Sequence, residues 1–255
     1  MSPKDLERVA IAAANAGAEI VRRRFAERAS LTIEVKAAKD YVTEVDREAE
    51  AAIVAVLRTE TPEFSILAEE GSPAASTRRP RWIVDPLDGT TNFIHGVPTF
   101  AVSVGVEDEE GLAAGAIVDP CRAELFSASR GGGTRLNGER VRVTRPASLQ
   151  TALLATGFPF RELSRLPGYL KAFEDFCRRT SGLRRAGAAS LDLAYTACGR
   201  YDGFFEVGLS PWDIAAGAIL VTEAGGVVTD TSGGAGFLEA GSIVAAGPTL
   251  HGAMV

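Results

Sequence analysis

The chain has 255 residues, 46% of them hydrophobic and 24% charged, with 27 lysines and arginines against 33 aspartates and glutamates for a formal net charge of −6. This length and balance predict one large α/β unit or two coupled subdomains with a full core, and they exclude a disordered, collagen-like or coiled-coil chain. The acidic excess argues against direct nucleic-acid binding, which draws its affinity from lysine and arginine displacing counterions.

Ser2-Pro3-Lys4-Asp5 reads as a helix start, with Ser2 as the cap, Pro3 in the first turn and Asp5 three residues after the cap. Leu6, Val9, Ala10, Ala13, Gly17, Ile20 and Val21 then recur at three- and four-residue steps, which places them on one helical face. No apolar leader opens the chain, and no stretch approaches the roughly 20 apolar residues of a membrane span, so a cytoplasmic protein without membrane contact is expected. A second helix is predicted from near Thr43, carrying Ala49, Ala52, Ile53, Val56 and Leu57 inward.

After Pro62 the texture changes to short apolar runs: Phe64 to Ala68, Trp82 to Val84, the alternating Phe100, Val102, Val104 and Val106, then Leu112 to Val118 and Glu124 to Ala128. These predict strands of a meandering sheet. Gly131-Gly132-Gly133 and Asn137-Gly138 supply turns before Val141 and Val143. The triple glycine is no phosphate loop, because no Gly-Lys-Ser/Thr follows it. Beyond Pro146 the pattern mixes: strand at Leu153 to Thr156, helices at Leu166 to Arg179 and Ala189 to Cys198, strand at Phe204 to Val207, helix at Pro211 to Ala224, strands at Val227 to Thr229 and Ile243 to Ala246. Residues 1–145 and 146–255 are thus expected as two subdomains of one catalytic unit, without a flexible tether.

Three cysteines, Cys121, Cys177 and Cys198, show no Cys-x-x-Cys spacing, so they are expected as semi-buried thiols in a reducing compartment. His95 and His251 lack partners at ligand spacing and are expected at loop or terminal surface positions. The pairs Arg78-Arg79 and Arg184-Arg185 are expected on solvated faces.

Carboxylates fall where packing alone would not put them: Glu69-Glu70 and Asp85 after strands, Asp88 three residues on, and Asp213 at the head of an apolar helix. Pro86 bends the chain after Asp85, so Asp88 can return toward the same space. Gly89-Thr90-Thr91-Asn92 follows, readable either as a capped turn or as free N–H groups suited to phosphate. A carboxylate entering a core is costly unless paired or bound to a cation. Glu69, Asp85, Asp88 and Asp213 form an oxygen-only set suited to Mg2+ rather than zinc.

Glu69-Glu70-Gly71, the run from Trp82 through Asp85-Pro86-Leu87-Asp88-Gly89-Thr90-Thr91-Asn92 to Gly96, and Trp212-Asp213-Ile214-Ala215-Ala216-Gly217 resemble the three signatures of the inositol monophosphatase family, whose superfamily includes the fructose-1,6-bisphosphatases. Asp40 to Asp46 matches an upstream element of the same family. The resemblance implies an α/β fold, a layered αβαβα sandwich, a homodimer, and Mg2+-dependent, lithium-sensitive hydrolysis of a small phosphorylated polyol or sugar by water activated at two to three Mg2+ ions. It implies Glu69, Asp85 and the Leu87 carbonyl at a first metal position, Asp85, Asp88 and Asp213 at a second, and Glu69 shared with a third.

The resemblance also implies that Asp46 and Thr90, supported by Glu70, orient the attacking water. Asp46 is also readable with Thr43 as a capping box, and the two readings are compatible because the cap would fix the carboxylate's direction. Backbone groups at Gly89 and Thr90, with Asp88 and Asp213 alongside, would face the phosphate. Gly187, Ala188, Ala189 and Glu206 would face the alcohol, although Gly187 to Ala189 also suit tight packing. Many members carry a hydroxyl where Ala188 stands. The implied substrate is inositol 1-phosphate, with fructose 1,6-bisphosphate, histidinol phosphate or adenosine 3′,5′-bisphosphate as alternatives. A regulatory binding protein retaining the fold is the alternative from another class.

Overall fold

The first helix begins where the sequence says. Ser2 accepts from the Asp5 N–H at 3.2 Å while the Asp5 carboxylate accepts from the Ser2 N–H at 3.1 Å, closing the capping box of α1 (Pro3–Ala26). The computed structural model describes residues 1–28, 33–37, 40–71, 79–146, 148–160 and 162–255. The side chains of residues 33–37 and 40–43 lie outside the described set, and with them the expected cap at Thr43. Arg78 lies outside it altogether.

Two short strands, β1 (Ile33–Ala37) and β2 (Asp40–Thr43), pair antiparallel ahead of α2 (Glu44–Glu60); the sequence reading assigned neither, although Ile33, Val35 and Ala37 alternate with Glu34 and Lys36. A seven-stranded sheet follows, built from β3 (Ser65–Ala68), β4 (Arg81–Asp88), β5 (Ala101–Asp108), β6 (Gly111–Asp119), β7 (Glu124–Ser129), β8 (Gly133–Leu136) and β9 (Glu139–Val141), in chain order across the sheet. Only β3 and β4 run parallel; the rest form the predicted meander. The six-residue helix α3 (Thr90–His95) sits between β4 and β5.

A second, five-stranded sheet takes β10 (Leu153–Thr156), β11 (Gly182–Arg184), β12 (Gly203–Val207), β13 (Val227–Thr229) and β14 (Ser242–Ala246), in the order β11-β10-β12-β14-β13. Its helices are α4 (Leu166–Arg179), α5 (Ala189–Ala197), α6 (Pro211–Glu223), α7 (Phe237–Ala240) and α8 (Pro248–Met254). The layers are α1 and α2, the seven-stranded sheet, α5 and α6, the five-stranded sheet, then α4 with α8. Three apolar clusters fill the gaps between them. This is the expected αβαβα sandwich.

The middle layer matters most for the site. A Cβ on Gly105 would stand 3.0 Å from the Ala216 nitrogen, and one on Gly115 3.0 Å from the Ala216 Cα. These two positions, facing Ala215 and Ala216, let α6 lie directly on the first sheet. The wholly apolar body of α6, buried from Ile214 to Val221, is held there by burial on both sides and carries Asp213 with it.

Two surface expectations change. His251 is buried in α8, its Nε2 3.0 Å from the Thr229 hydroxyl, because the terminal helix packs onto the second sheet. Cys121 and Cys177 are exposed and only Cys198 is half-buried. Arg79 stays exposed, as expected, while its guanidinium reaches the buried Glu107 at 3.1 Å, beside Arg81, which also pairs with that carboxylate.

Candidate active site

The pairing of β4 with β5 explains how two carboxylates three residues apart reach one side. In a regular strand, residues i and i+3 point to opposite faces. Here Asp85 pairs with Ser103 but Asp88 with Ala101, so three steps on β4 match two on β5. The extra residue is a bulge, which restores the same facing. Pro86 sits within it and offers no N–H to the ladder, while Asp85 Oδ1 accepts from the Leu87 N–H at 2.9 Å and holds the distortion. The strand therefore runs through Asp88 instead of ending before Asp85, a correction to the sharp turn expected from Pro86.

Asp213 arrives from the head of α6, its Oδ2 accepting from the Ser210 N–H at 2.6 Å as half of a capping box. Asp85, Asp88 and Asp213 each bring one carboxylate oxygen within 4.8 Å of the others. Both Asp85 and Asp88 hold their protons more tightly than a free carboxyl. For Asp85 the causes are burial first, then the charges of Glu69, Asp88 and Asp213. Asp88 is pushed up to about 6, chiefly by burial, against the opposing effect of hydrogen bonds from Ser190. Three carboxylates forced together out of water repel one another, and a hard divalent cation relieves that repulsion with the ligands it prefers. The donor set fits Mg2+.

The triad opens into a cleft of about 460 Å³. Glu69, Leu87, Gly89, Thr90, Gly187, Ala188, Ala189 and Glu206 line it together with the triad, so most of the expected site residues converge on one space. Two do not line it. Asp46, buried in the first turn of α2, reaches the site through the Thr90 hydroxyl, 3.2 Å from its Oδ1. Glu70 stands beside the cleft, its backbone N–H donating to Glu50 Oε2 at 2.8 Å.

The Thr90 hydroxyl also lies 3.0 Å from the Leu87 carbonyl, so one proton has two acceptors in reach. Gly89, the residue before α3, has φ +93°, a left-handed conformation; a Cβ there would also stand 3.0 Å from the Thr99 carbonyl oxygen.

Several positioning residues escaped the sequence reading. Ser190 donates to Asp88 Oδ2 from both its backbone N–H, at 2.7 Å, and its hydroxyl, fixing the carboxylate from α5. Asn92 Nδ2 donates to the Thr99 carbonyl at 2.7 Å and the Ala186 carbonyl at 2.9 Å, stapling the Gly89–Asn92 segment to the opposite wall. Glu50 is buried and supports the turn that carries Glu69 and Glu70. Polar residues in the largely apolar α5 were the available signal for Ser190, whereas Glu50, in a charged stretch of α2 with Asp46, Arg47 and Glu48, offered none. Asp192, also buried in α5, is pushed well above the usual carboxyl range by burial, then by Glu206 and Asp88. Arg185 is exposed, as expected, and also lines the cleft beside Phe158 and Phe160.

A layered sandwich with an acidic, oxygen-only site at the meeting of β4, α5 and α6 defines a phosphatase architecture built for a divalent cation. The sequence profile of the inositol monophosphatase family matches residues 2–255, and the chain belongs to that family. It is 52% identical to the Nus factor SuhB of Pseudomonas aeruginosa over 93% of this chain and 89% of that protein. The extragenic suppressor protein suhB of Bartonella henselae superposes with a TM-score of 0.93 at 40% identity, over 98% of this chain and 96% of the other. An inositol monophosphatase from Anabaena superposes with a TM-score of 0.86 at 35% identity, over 98% and 94%. No helix among the described residues is long and apolar enough to cross a membrane.

Proposed function

We propose that this chain hydrolyses phosphomonoesters of small polyols, inositol 1-phosphate foremost, with Mg2+ at the acidic site. The observation that carries this reading is the Asp85, Asp88 and Asp213 triad in a cleft that Glu206 also lines. Asp85, Asp88 and Asp213, with Glu69 and the Leu87 carbonyl, would hold the cation. When bound, it supplies the positive charge that draws in the phosphate and makes water acidic enough to react.

The protein's own groups do the rest. The Thr90 hydroxyl can donate to Asp46, and in that orientation its oxygen would be left to accept a hydrogen bond from the attacking water, with Asp46 as the base that would take the proton through it. Ser190 holds Asp88 in place throughout. The Gly89 and Thr90 backbone would face the phosphate, and Glu206 the hydroxyls of the polyol. Measured phosphate release from inositol 1-phosphate, against fructose 1,6-bisphosphate, histidinol phosphate and adenosine 3′,5′-bisphosphate, tests the assignment. Inositol 1-phosphate outside the better substrates would remove the primary label. Inhibition by Li+ is expected in the same assay, and a homodimer by light scattering.

The names of the relatives favour a second role. The 52% identity to a Nus factor over nearly the whole chain supports a Nus-factor function here as well. Expressing this chain in place of that relative in P. aeruginosa, as wild type and as Asp213→Asn, separates the roles: rescue by both would assign the Nus function to a surface that does not need catalysis.

A further inference from the structure

We propose that Arg185 forms a subsite for a second anionic group on the substrate, so that the cleft favours phosphorylated polyols whose far end carries a phosphate or a carboxylate. This rests on the phosphatase reading above and deepens it by naming a substrate class. The cleft is lined by five carboxylates, Glu69, Asp85, Asp88, Glu206 and Asp213, and Arg185 is the one cationic side chain among its described lining residues. The carboxylates at the base are matched to a cation; the charge of Arg185 is felt at the buried Asp192, which does not line the cleft, and Arg185 is bridged to no carboxylate among the described residues.

Its surroundings are specific. The guanidinium carbon lies 5.6 Å from the centroid of Phe158 and 5.1 Å from that of Phe160, and Arg185 makes no ion pair with a described residue. Arg122, Arg130 and Arg200 have anionic partners of the usual kind, with carboxylates 2.8, 2.7 and 2.5 Å away. The rings attract the guanidinium charge without accepting its N–H groups in the plane, which leaves the N–H edge for an anion. That edge suits a two-oxygen anion, a carboxylate or a phosphate.

The facing backbone makes room for this arrangement. Gly187 has φ +92°, and a Cβ there would stand 2.8 Å from Arg185 Nη1. Next to it, Ala188 offers no hydroxyl to a neutral sugar ring. Glu206, the other charged group on this wall, is accommodated over Gly157, where a Cβ would meet its carboxylate at 2.0 Å. A carboxylate repels a second anion on the substrate, so that group falls to Arg185, the cation among the described lining residues.

The test compares kcat/KM, with Mg2+, for sorbitol 6-phosphate against two substrates changed only at the far end: 6-phosphogluconate, with a carboxylate, and sorbitol 1,6-bisphosphate, with a phosphate. Wild type should prefer at least one anionic partner. Arg185→Ala should cut that preference by about 10–100-fold, and Arg185→Lys should keep part of it. Reading a ratio cancels any general loss of activity. A loss confined to one partner identifies the anion as carboxylate or phosphate. Ratios within twofold of wild type in Arg185→Ala, or a wild type preferring neither partner, would overturn the proposal while leaving the phosphatase reading intact. No turnover of any of these substrates or of inositol 1-phosphate would overturn both.

Discussion

Asp88→Asn isolates the electrostatic strain of the metal site. Asparagine keeps the side-chain volume and one oxygen able to accept from the Ser190 N–H, which Asp88 Oδ2 now receives at 2.7 Å. It removes a buried charge lying among Asp85, Asp213 and Glu69. The rise of the Asp88 pKa from the ordinary 3.8 to about 6 means that its ionisation costs the metal-free fold roughly 3 kcal/mol. The sign follows from proton counting. Between 3.8 and about 6 the folded state holds more protons than the unfolded state, so the metal-free wild type loses stability as pH rises through that window.

In chelator at pH 7.5, Asp88→Asn should therefore unfold at a higher temperature than wild type, by up to about 6–12 °C for a chain of this size. Below about pH 4 the difference should vanish. With Mg2+ the order reverses: wild type is stabilised, the variant gains little, and its phosphate release falls at least about 100-fold. The assay is thermal unfolding across pH, with and without Mg2+, alongside phosphate release. A variant less stable than wild type in chelator at pH 7.5, or one that keeps Mg2+-dependent turnover, would refute the reasoning.

Thr90→Val removes the hydroxyl beside Asp46 and should lower kcat about 10²–10⁴-fold with little change in KM; a change in KM alone would count against the water-orienting role. Gly157→Ala drives a methyl group into the Glu206 carboxylate, so KM for inositol 1-phosphate should rise about tenfold while hydrolysis of p-nitrophenyl phosphate, which has no polyol, changes less. Burial lowers the His251 pKa from 6.5, so its folded state resists protonation. Stability should then fall as pH drops below about 6.5. The difference in unfolding free energy between wild type and His251→Gln, measured from pH 7.5 to 5, should narrow accordingly; a constant difference would exclude the histidine.

The sequence by itself determined the elements whose signals are local. The Ser2–Asp5 box, the apolar stripe of α1, the alternating strands of the meander and the Asn137-Gly138 turn all depend on residues within a few positions of one another. The family resemblance carried the acidic residues as far as a residue list. Tertiary structure decided how that list becomes a site. The parity of Asp85 and Asp88 depends on a bulge visible only against β5, and the approach of Asp213 depends on the clearance at Gly105 and Gly115, far away in the chain. Ser190, Asn92 and Arg185 looked ordinary because each acts on a segment distant in sequence, where no local period reports it. Propensity and patterning are written along the chain, whereas burial, repulsion between charges and the reach of a guanidinium are fixed only once the layers meet.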